Sequence, residues 1–243
     1  MKIALIGSGA MGRLVESQAL QARYEIGLVI TSREKETDRD LLISKLKDCD
    51  VAIDFSVGDA VAENVEICMR AGVPLVEGTT GWSKHFGKVS QLVADSDGAM
   101  VYGANFSIGV NVFYRLAQNA ASMFASLESY APFIEEAHHT RKRDAPSGTA
   151  IKIHELMRKH YAEDIPISST RAGFIPGTHR VGFDSATDQI LLTHTARSRD
   201  GFASGALFAA RWVIGNQGLF EFAEVMETVL SQNDHNHDGG SQK

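Results

Sequence analysis

Along the first hundred residues the apolar positions fall in short runs, at 2–6, 26–30, 51–55, 73–76 and 100–102, each the length of a buried strand. Between these runs apolar side chains recur at helical spacing. Val61, Val65, Cys68 and Met69 make the clearest stripe, with Asp59 placed to cap it and Gly72 to end it. Strand alternating with helix predicts a parallel sheet covered on both faces.

After residue 104 the cadence changes. The pattern predicts a helix around 110–125, a strand ending at Glu136, and a polar cluster, 138–149, that opens a helix of about four turns. His179–Phe183 and Gln189–Ala196 read as paired antiparallel strands. In the second, Ile190, Leu192, His194 and Ala196 share one face, and Leu191, Thr193 and Thr195 the other. Gly218–Leu230 reads as a final amphipathic helix, and 233–243 as a polar, disordered tail. The expected fold class is α/β: a Rossmann-type parallel-sheet domain, 1–106 plus 216–232, carrying a second α+β domain, 107–215.

Composition narrows the function. The 44% hydrophobic and 22% charged content is that of an ordinary globular protein. No apolar run approaches the roughly 18 residues that span a bilayer. The opening Met1–Gly7 looks like a charged-then-apolar leader, but its apolar stretch is short and runs into a glycine motif, so it reads as the first strand. Two cysteines, Cys49 and Cys68, offer neither metal-ligand spacing nor a disulfide framework; no metal is expected, and a reducing cytoplasm is. A net charge of -6 argues against nucleic acid and anionic membrane as partners. An anionic ligand must therefore be met by a local positive patch.

Gly7-Ser8-Gly9-Ala10-Met11-Gly12 is a G-x-G-x-x-G pattern that follows a strand and opens a helix, the context in which it binds a dinucleotide pyrophosphate. Without a ligand it would be a tight turn only. At the end of the second strand an acid would hold the ribose 2′-hydroxyl and a base would accept a 2′-phosphate. Ser32 stands where the acid is expected and Arg33 follows, which leans toward NADPH over NADH, although Glu34 could reach the ribose. Three further loops at the carboxyl ends of strands could fix the nicotinamide ribose and carboxamide: Asp54-Phe55-Ser56, Gly78-Thr79-Thr80-Gly81 and Gly103-Ala104-Asn105-Phe106-Ser107. Any one could be simple turn chemistry; three at one edge suggest a binding crevice.

The densest chemistry lies in Glu135–Ala150. Two His, two Arg and one Lys occupy the six positions 138–143 of an acidic protein. Such a run is usually a solvated face, or a nucleic-acid patch. Here two adjacent histidines offer proton donors near neutral pH, and Pro146 leads into Ser147-Gly148-Thr149, a helix N-terminus able to cradle a carboxylate. Together they describe a site for a carboxylated substrate.

At these residues the chain resembles the 4-hydroxy-tetrahydrodipicolinate reductase (dihydrodipicolinate reductase) family of lysine and diaminopimelate biosynthesis. The family pattern is an acid, Ala, a His pair, three positions including a Lys, then Asp-Ala-Pro-Ser-Gly-Thr-Ala, and Glu136–Ala150 reproduce it almost completely. The likeness extends to Asp54-Phe55-Ser56, Gly78–Gly81, Ala104–Asn111, Arg171–His179 and Arg199–Ala206. It implies His138 as general acid, Lys142 as its electrostatic partner, His139 as a substrate contact, and Ser147, Gly148 and Thr149 as holders of a ring carboxylate. It implies Gly7–Gly12, Ser56, Gly78, Thr79, Thr80, Ala104, Asn105 and Phe106 around NAD(P)H, with Arg33 at the adenosine ribose. It further implies that 1–106 plus 216–232 bind the dinucleotide, that 107–215 bind substrate and oligomerise, and that the protein is a cytoplasmic homotetramer. Ala10 stands where many members carry Arg, Ser32 where an acid is often seen, and the span between the second and third strands is short. The rival expectations are a reductase of another small imine or keto acid, and a non-catalytic NAD(P)H-binding redox sensor.

Overall fold

The structure, a computed structural model, describes residues 1–31 and 38–237, those beyond Ser231 as backbone only. The chain divides into two compact units: Met1–Ile108 together with the chain from Asp200 onward, and Gly109–Arg199.

The first unit is built on six parallel strands, β1 (Lys2–Ile6), β2 (Glu25–Ile30), β3 (Val51–Asp54), β4 (Leu75–Glu77), β5 (Ala99–Tyr102) and β10 (Gly218–Glu221), in the order β10-β5-β4-β3-β1-β2. Four helices connect the first five strands: α1 (Ala10–Gln21), α2 (Arg39–Leu46), α3 (Val61–Ala71) and α4 (Phe86–Asp95). The central strands are apolar at almost every position because helices cover both faces; β3 is buried along its whole length. The α3 stripe behaves as its spacing predicts, with Val61, Val65, Cys68 and Met69 all buried. Gly72 ends that helix in the left-handed conformation, φ 69°, while the Val73 N–H returns to the Cys68 carbonyl. Asp59, expected as its N-cap, instead lies in a short 3-10 turn, Gly58–Ala60, and pairs with Lys84 Nζ at 2.6 Å.

Two parts of this unit differ from expectation. Gly218–Glu221 begins no helix: it is β10, the sixth strand, paired parallel to β5, with Gly218 at φ 118° turning the chain into the sheet. The final helix, α8, runs Phe222–His237, past the point where a disordered tail was expected. The rest of that tail, 238–243, lies outside the described residues. Helix α7 (Asp200–Val213) also falls in the first unit, so the second boundary sits at Arg199/Asp200 rather than near 215.

In the second unit one sheet, ordered β7-β6-β8-β9, is packed on one face by α5 (Ile108–Phe124) and α6 (Gly148–Arg158). Its strands are β6 (Ala131–His138), β7 (Ile167–Arg171), β8 (Thr178–Asp184) and β9 (Gln189–Thr195); β6 pairs β7 parallel and β8 antiparallel, and β8–β9 is the expected antiparallel pair. Phe113, Ala117, Ile134, Ile153, Met157, Val181 and Phe183 make the core. Alternation along β6 sends Ile134, Glu136 and His138 into the covered face. Helix α6 has 11 residues, three turns rather than four.

Candidate active site

In the first unit the glycine loop joins β1 to α1. Gly7 sits at φ 93°, where a Cβ would lie 2.6 Å from the Phe55 carbonyl oxygen, and a Cβ on Gly12 would lie 2.0 Å from the Gly7 oxygen. Both positions demand glycine so that helix and strand can approach. Gly9, the N-cap of α1, faces open space, and no side chain caps that helix. Its N–H groups open on a cavity of about 330 Å3 lined by Gly7, Ser8, Gly9, Thr31, Phe55 and Ser56 among others. The residues therefore suit a phosphate-bearing dinucleotide.

The expected lining residues separate into three groups. Gly7, Ser8, Gly9 and Ser56 line the cavity; Ala10 and Met11 form the first turn of α1 behind it. Thr79 is buried, its hydroxyl 3.4 Å from Asp54 Oδ1 and 3.1 Å from the Ser56 N–H, so it braces the loops from beneath. Gly78 packs on the Phe55 ring, and Phe106 is core, its ring 4.8 Å from that of Phe222. Thr80 and Ala104 are exposed, and the Asn105 carboxamide accepts from the Ser107 N–H at 2.9 Å. Ser32 and Arg33, on which cofactor choice was expected to turn, lie outside the described residues.

In the second unit Glu136 and His138, two apart on β6, share the covered face. Glu136 is almost completely buried, and its two oxygens take a bidentate guanidinium from Arg171, at 2.7 and 3.0 Å. The same carboxylate bonds His138 Nδ1. Burial works against the Glu136 charge, but Arg171, Ser169 and His138 outweigh it and hold the carboxyl at about 2. Because a carboxylate only accepts, His138 places its Nδ1–H on Glu136 and keeps Nε2 for other chemistry. Nε2 lies 3.2 Å from where a Gly177 Cβ would be, so the glycine, at φ 129°, leaves that edge of the ring clear. Burial lowers the His138 pKa; Glu136 opposes the shift, while Lys142 and Arg171 reinforce it. His138 is thus neutral at pH 7.

His179, the register partner of Glu136 on β8, lies edge-on to His138 with ring centroids 5.1 Å apart. Burial, then His138, depress it to about 4. Its Nε2 is 3.0 Å from Ser147 Oγ. That hydroxyl also accepts from Ala150 N–H at 3.2 Å as the N-cap of α6, so its proton goes to His179. Ser147 is buried and committed on both sides; Gly148 and Thr149 are the accessible part of the helix end. Lys142 Nζ pairs with Asp144 Oδ2 at 2.9 Å, and Arg171 holds the Asp144 carbonyl at 2.5 Å. His139 is half-buried with Nδ1 lacking a partner among the described residues. Glu136, His138 and His179 are spaced closely enough to hold a cation, but Arg171 already occupies both Glu136 oxygens.

The site thus gains three members that the sequence reading left without a role: Glu136, Arg171 and His179. Glu136 was legible in principle, two residues before His138 on a strand. Arg171 and His179 reach the site through the pairing of β7 and β8 with β6, which no local pattern announces.

Comparisons with known proteins agree for both units of the chain. The family description "Dihydrodipicolinate reductase, N-terminus" matches residues 1–106, and "Dihydrodipicolinate reductase, C-terminus" matches 109–226. The chain is 38% identical to a 4-hydroxy-tetrahydrodipicolinate reductase of Christiangramia forsetii, over 95% of this chain and 99% of that protein. It is 33% identical to one from Archaeoglobus fulgidus, over 93% and 100%. A dipicolinate-bound dihydrodipicolinate reductase from a Paenisporosarcina species shares the fold at a TM-score of 0.77 and 22% identity, over 91% of this chain and 97% of the other.

Proposed function

The chain belongs to the dihydrodipicolinate reductase family, and from that premise we propose that it reduces 4-hydroxy-tetrahydrodipicolinate to tetrahydrodipicolinate with a reduced nicotinamide cofactor, in lysine and diaminopimelate biosynthesis. The observation that carries the reading is His138 bonded to the buried Glu136–Arg171 pair, at the head of the intact Glu136–Ala150 motif.

A reduced nicotinamide held at the glycine loop would supply a hydride. The 4-hydroxy ring loses water, and the resulting conjugated imine needs that hydride and one proton to become the product. His138 delivers that proton from Nε2, while Glu136 anchors Nδ1 and stabilises the imidazolium that must form first. Lys142, the N–H groups of Gly148 and Thr149 and the Thr149 hydroxyl hold a ring carboxylate; His139 contacts the substrate. The glycine loop at the head of α1 takes the pyrophosphate, and Arg33 favours NADPH by accepting a 2′-phosphate. The protein acts in the cytoplasm as a homotetramer; among the described residues no helix is long and apolar enough to cross a membrane.

The test mixes pyruvate, aspartate semialdehyde and the synthase that condenses them, then adds this protein and NADPH. Loss of reduced-cofactor absorbance is expected, slowed at least tens-fold in His138→Gln with cofactor affinity kept. Arg33→Ala should weaken NADPH more than NADH. No turnover with either cofactor returns the reading to a binding-only sensor.

A further inference from the structure

Asp54 and Glu77 end β3 and β4, are register partners, and are fully buried. Each accepts a backbone N–H from two residues ahead: Ser56 to Asp54 Oδ1 and Thr79 to Glu77 Oε1, both at 2.7 Å. Asp54 also receives the Asn64 amide of α3 at 2.5 Å and the Thr79 hydroxyl at 3.4 Å. Asp54 is therefore surrounded by donors, as a carboxylate requires. Glu77 keeps one buried oxygen, Oε2, that receives no donor among the described residues. As part of a carboxylate, that oxygen would be a buried, unsolvated charge beside another; as a hydroxyl it is a donor next to an acceptor.

We propose that Asp54 and Glu77 share one proton, carried by Glu77, and that this acid–carboxylate pair is the positioning element that locks loops 55–58 and 78–81 beneath the cofactor crevice. The loops are already in backbone contact: a Cβ on Gly58 would lie 2.9 Å from the Gly81 oxygen and 3.0 Å from that of Thr80. Hydrogen bonds cross between them from Ser56 to Thr79 and from Thr79 to Asp54. Phe55, Ser56 and Val57 line the crevice above. Only the assignment of that crevice to a dinucleotide rests on the proposed function.

Burial, then Asp54, push the Glu77 carboxyl well above the usual carboxylate range. The titratable groups facing it are Asp54 from β3, the Cys68 thiol from α3, itself pushed up by burial, and Tyr102, its register neighbour on β5. None of these supplies a positive charge. An acid whose folded pKa is raised binds its proton more tightly folded than unfolded, so stability falls as pH climbs from about 4.3 toward the folded value. Glutamine in its place keeps a neutral donor and needs no proton.

Three readings test this on the full chain. The infrared difference between the parent and Glu77→Gln at pH 7 should contain the C=O stretch of a neutral carboxylic acid; carboxylate bands alone overturn the shared proton. The melting temperature of Glu77→Gln minus that of the parent should widen as pH rises; a constant difference overturns it too. Glu77→Leu should weaken NADPH, followed by its fluorescence, about tenfold, the loss expected for one buried hydrogen bond. Glu77→Gln should restore most of that affinity. Equal weakening in both variants overturns the positioning role. An unaltered protein that fails to bind NADPH removes the crevice assignment, while the infrared and melting results still decide the proton.

Discussion

Asp144 Oδ2 holds Lys142 Nζ at 2.9 Å. An internal carboxylate thus occupies a donor that a ring carboxylate of the substrate would use. Removing it frees that donor. Asp144→Ala should tighten binding of pyridine-2,6-dicarboxylate several-fold by calorimetry, whereas Lys142→Ala should weaken it. Weaker binding in Asp144→Ala would mean that Asp144 positions Lys142 in the bound state as well.

The neutral histidines set an acid limit on stability. Above pH 6.5 His179 is neutral whether folded or unfolded, and its pKa costs nothing. As pH falls through 6.5 the unfolded chain takes up a proton that folded His179, at about 4, refuses. By pH 4 the loss reaches about 3 kcal/mol, with His138 and His194, also lowered, adding to it. Glu136 adds to the acid loss in the same direction but later, its stabilisation disappearing only between about 4.3 and its folded value near 2. Between pH 6.5 and 4.5 the histidines titrate ahead of Glu136 but alongside Glu77, so urea unfolding of the parent is compared with a histidine variant across that window. His179→Asn should flatten that slope, and an unchanged slope would refute the assignment.

A dianion bound beside His138 raises its pKa, so binding should draw a proton from the buffer. Calorimetry of pyridine-2,6-dicarboxylate at pH 7.5, in buffers of different ionisation enthalpy, should show uptake of a substantial fraction of one proton. Glu136→Gln removes the carboxylate that supports the imidazolium. It should abolish most of the uptake, move the fall of kcat with pH to lower pH, and cut kcat by about 10²-fold. Uptake that survives in this variant would place the proton elsewhere.

Ser147 and Thr149, adjacent in the motif, should respond differently. Ser147 caps α6 and bonds His179, so Ser147→Ala should lower stability by about 0.5–2 kcal/mol. Thr149→Ala should leave stability nearly unchanged and raise the dicarboxylate Kd about tenfold or more. Thermal melts and inhibition constants on both variants separate the roles. Identical behaviour would remove the carboxylate cradle from Thr149.

The parallel sheet was legible because strands buried on both faces read as apolar runs, and β1 to β5 fall within two residues of those runs. The last strand was not: Gly218–Glu221 is four residues long and runs directly into α8, so its Leu and Phe read as a helix stripe. The glycine loop and the His138 motif were legible because their chemistry is contiguous. Thr79 and Phe106 were read as lining because sequence shows the loop that carries a residue, while the direction of its side chain is set by packing. Arg171 and His179 depend on sheet register across 35 and 41 positions of chain from Glu136 and His138, which only folding specifies.

The sheet of the first unit has a consequence for synthesis. Its strands come from both ends of the chain, with β10 pairing to β5 only after the whole of Gly109–Arg199 has been made. A nascent chain can close its second unit, a continuous stretch, while the β5 edge still lacks its neighbour. During that interval an apolar strand presents unsatisfied backbone groups, the template for misassociation between chains on one messenger. Fragments released before residue 218 should aggregate through that edge, and a peptide carrying Gly218–Glu221 with α8 should suppress the aggregation by supplying the missing strand.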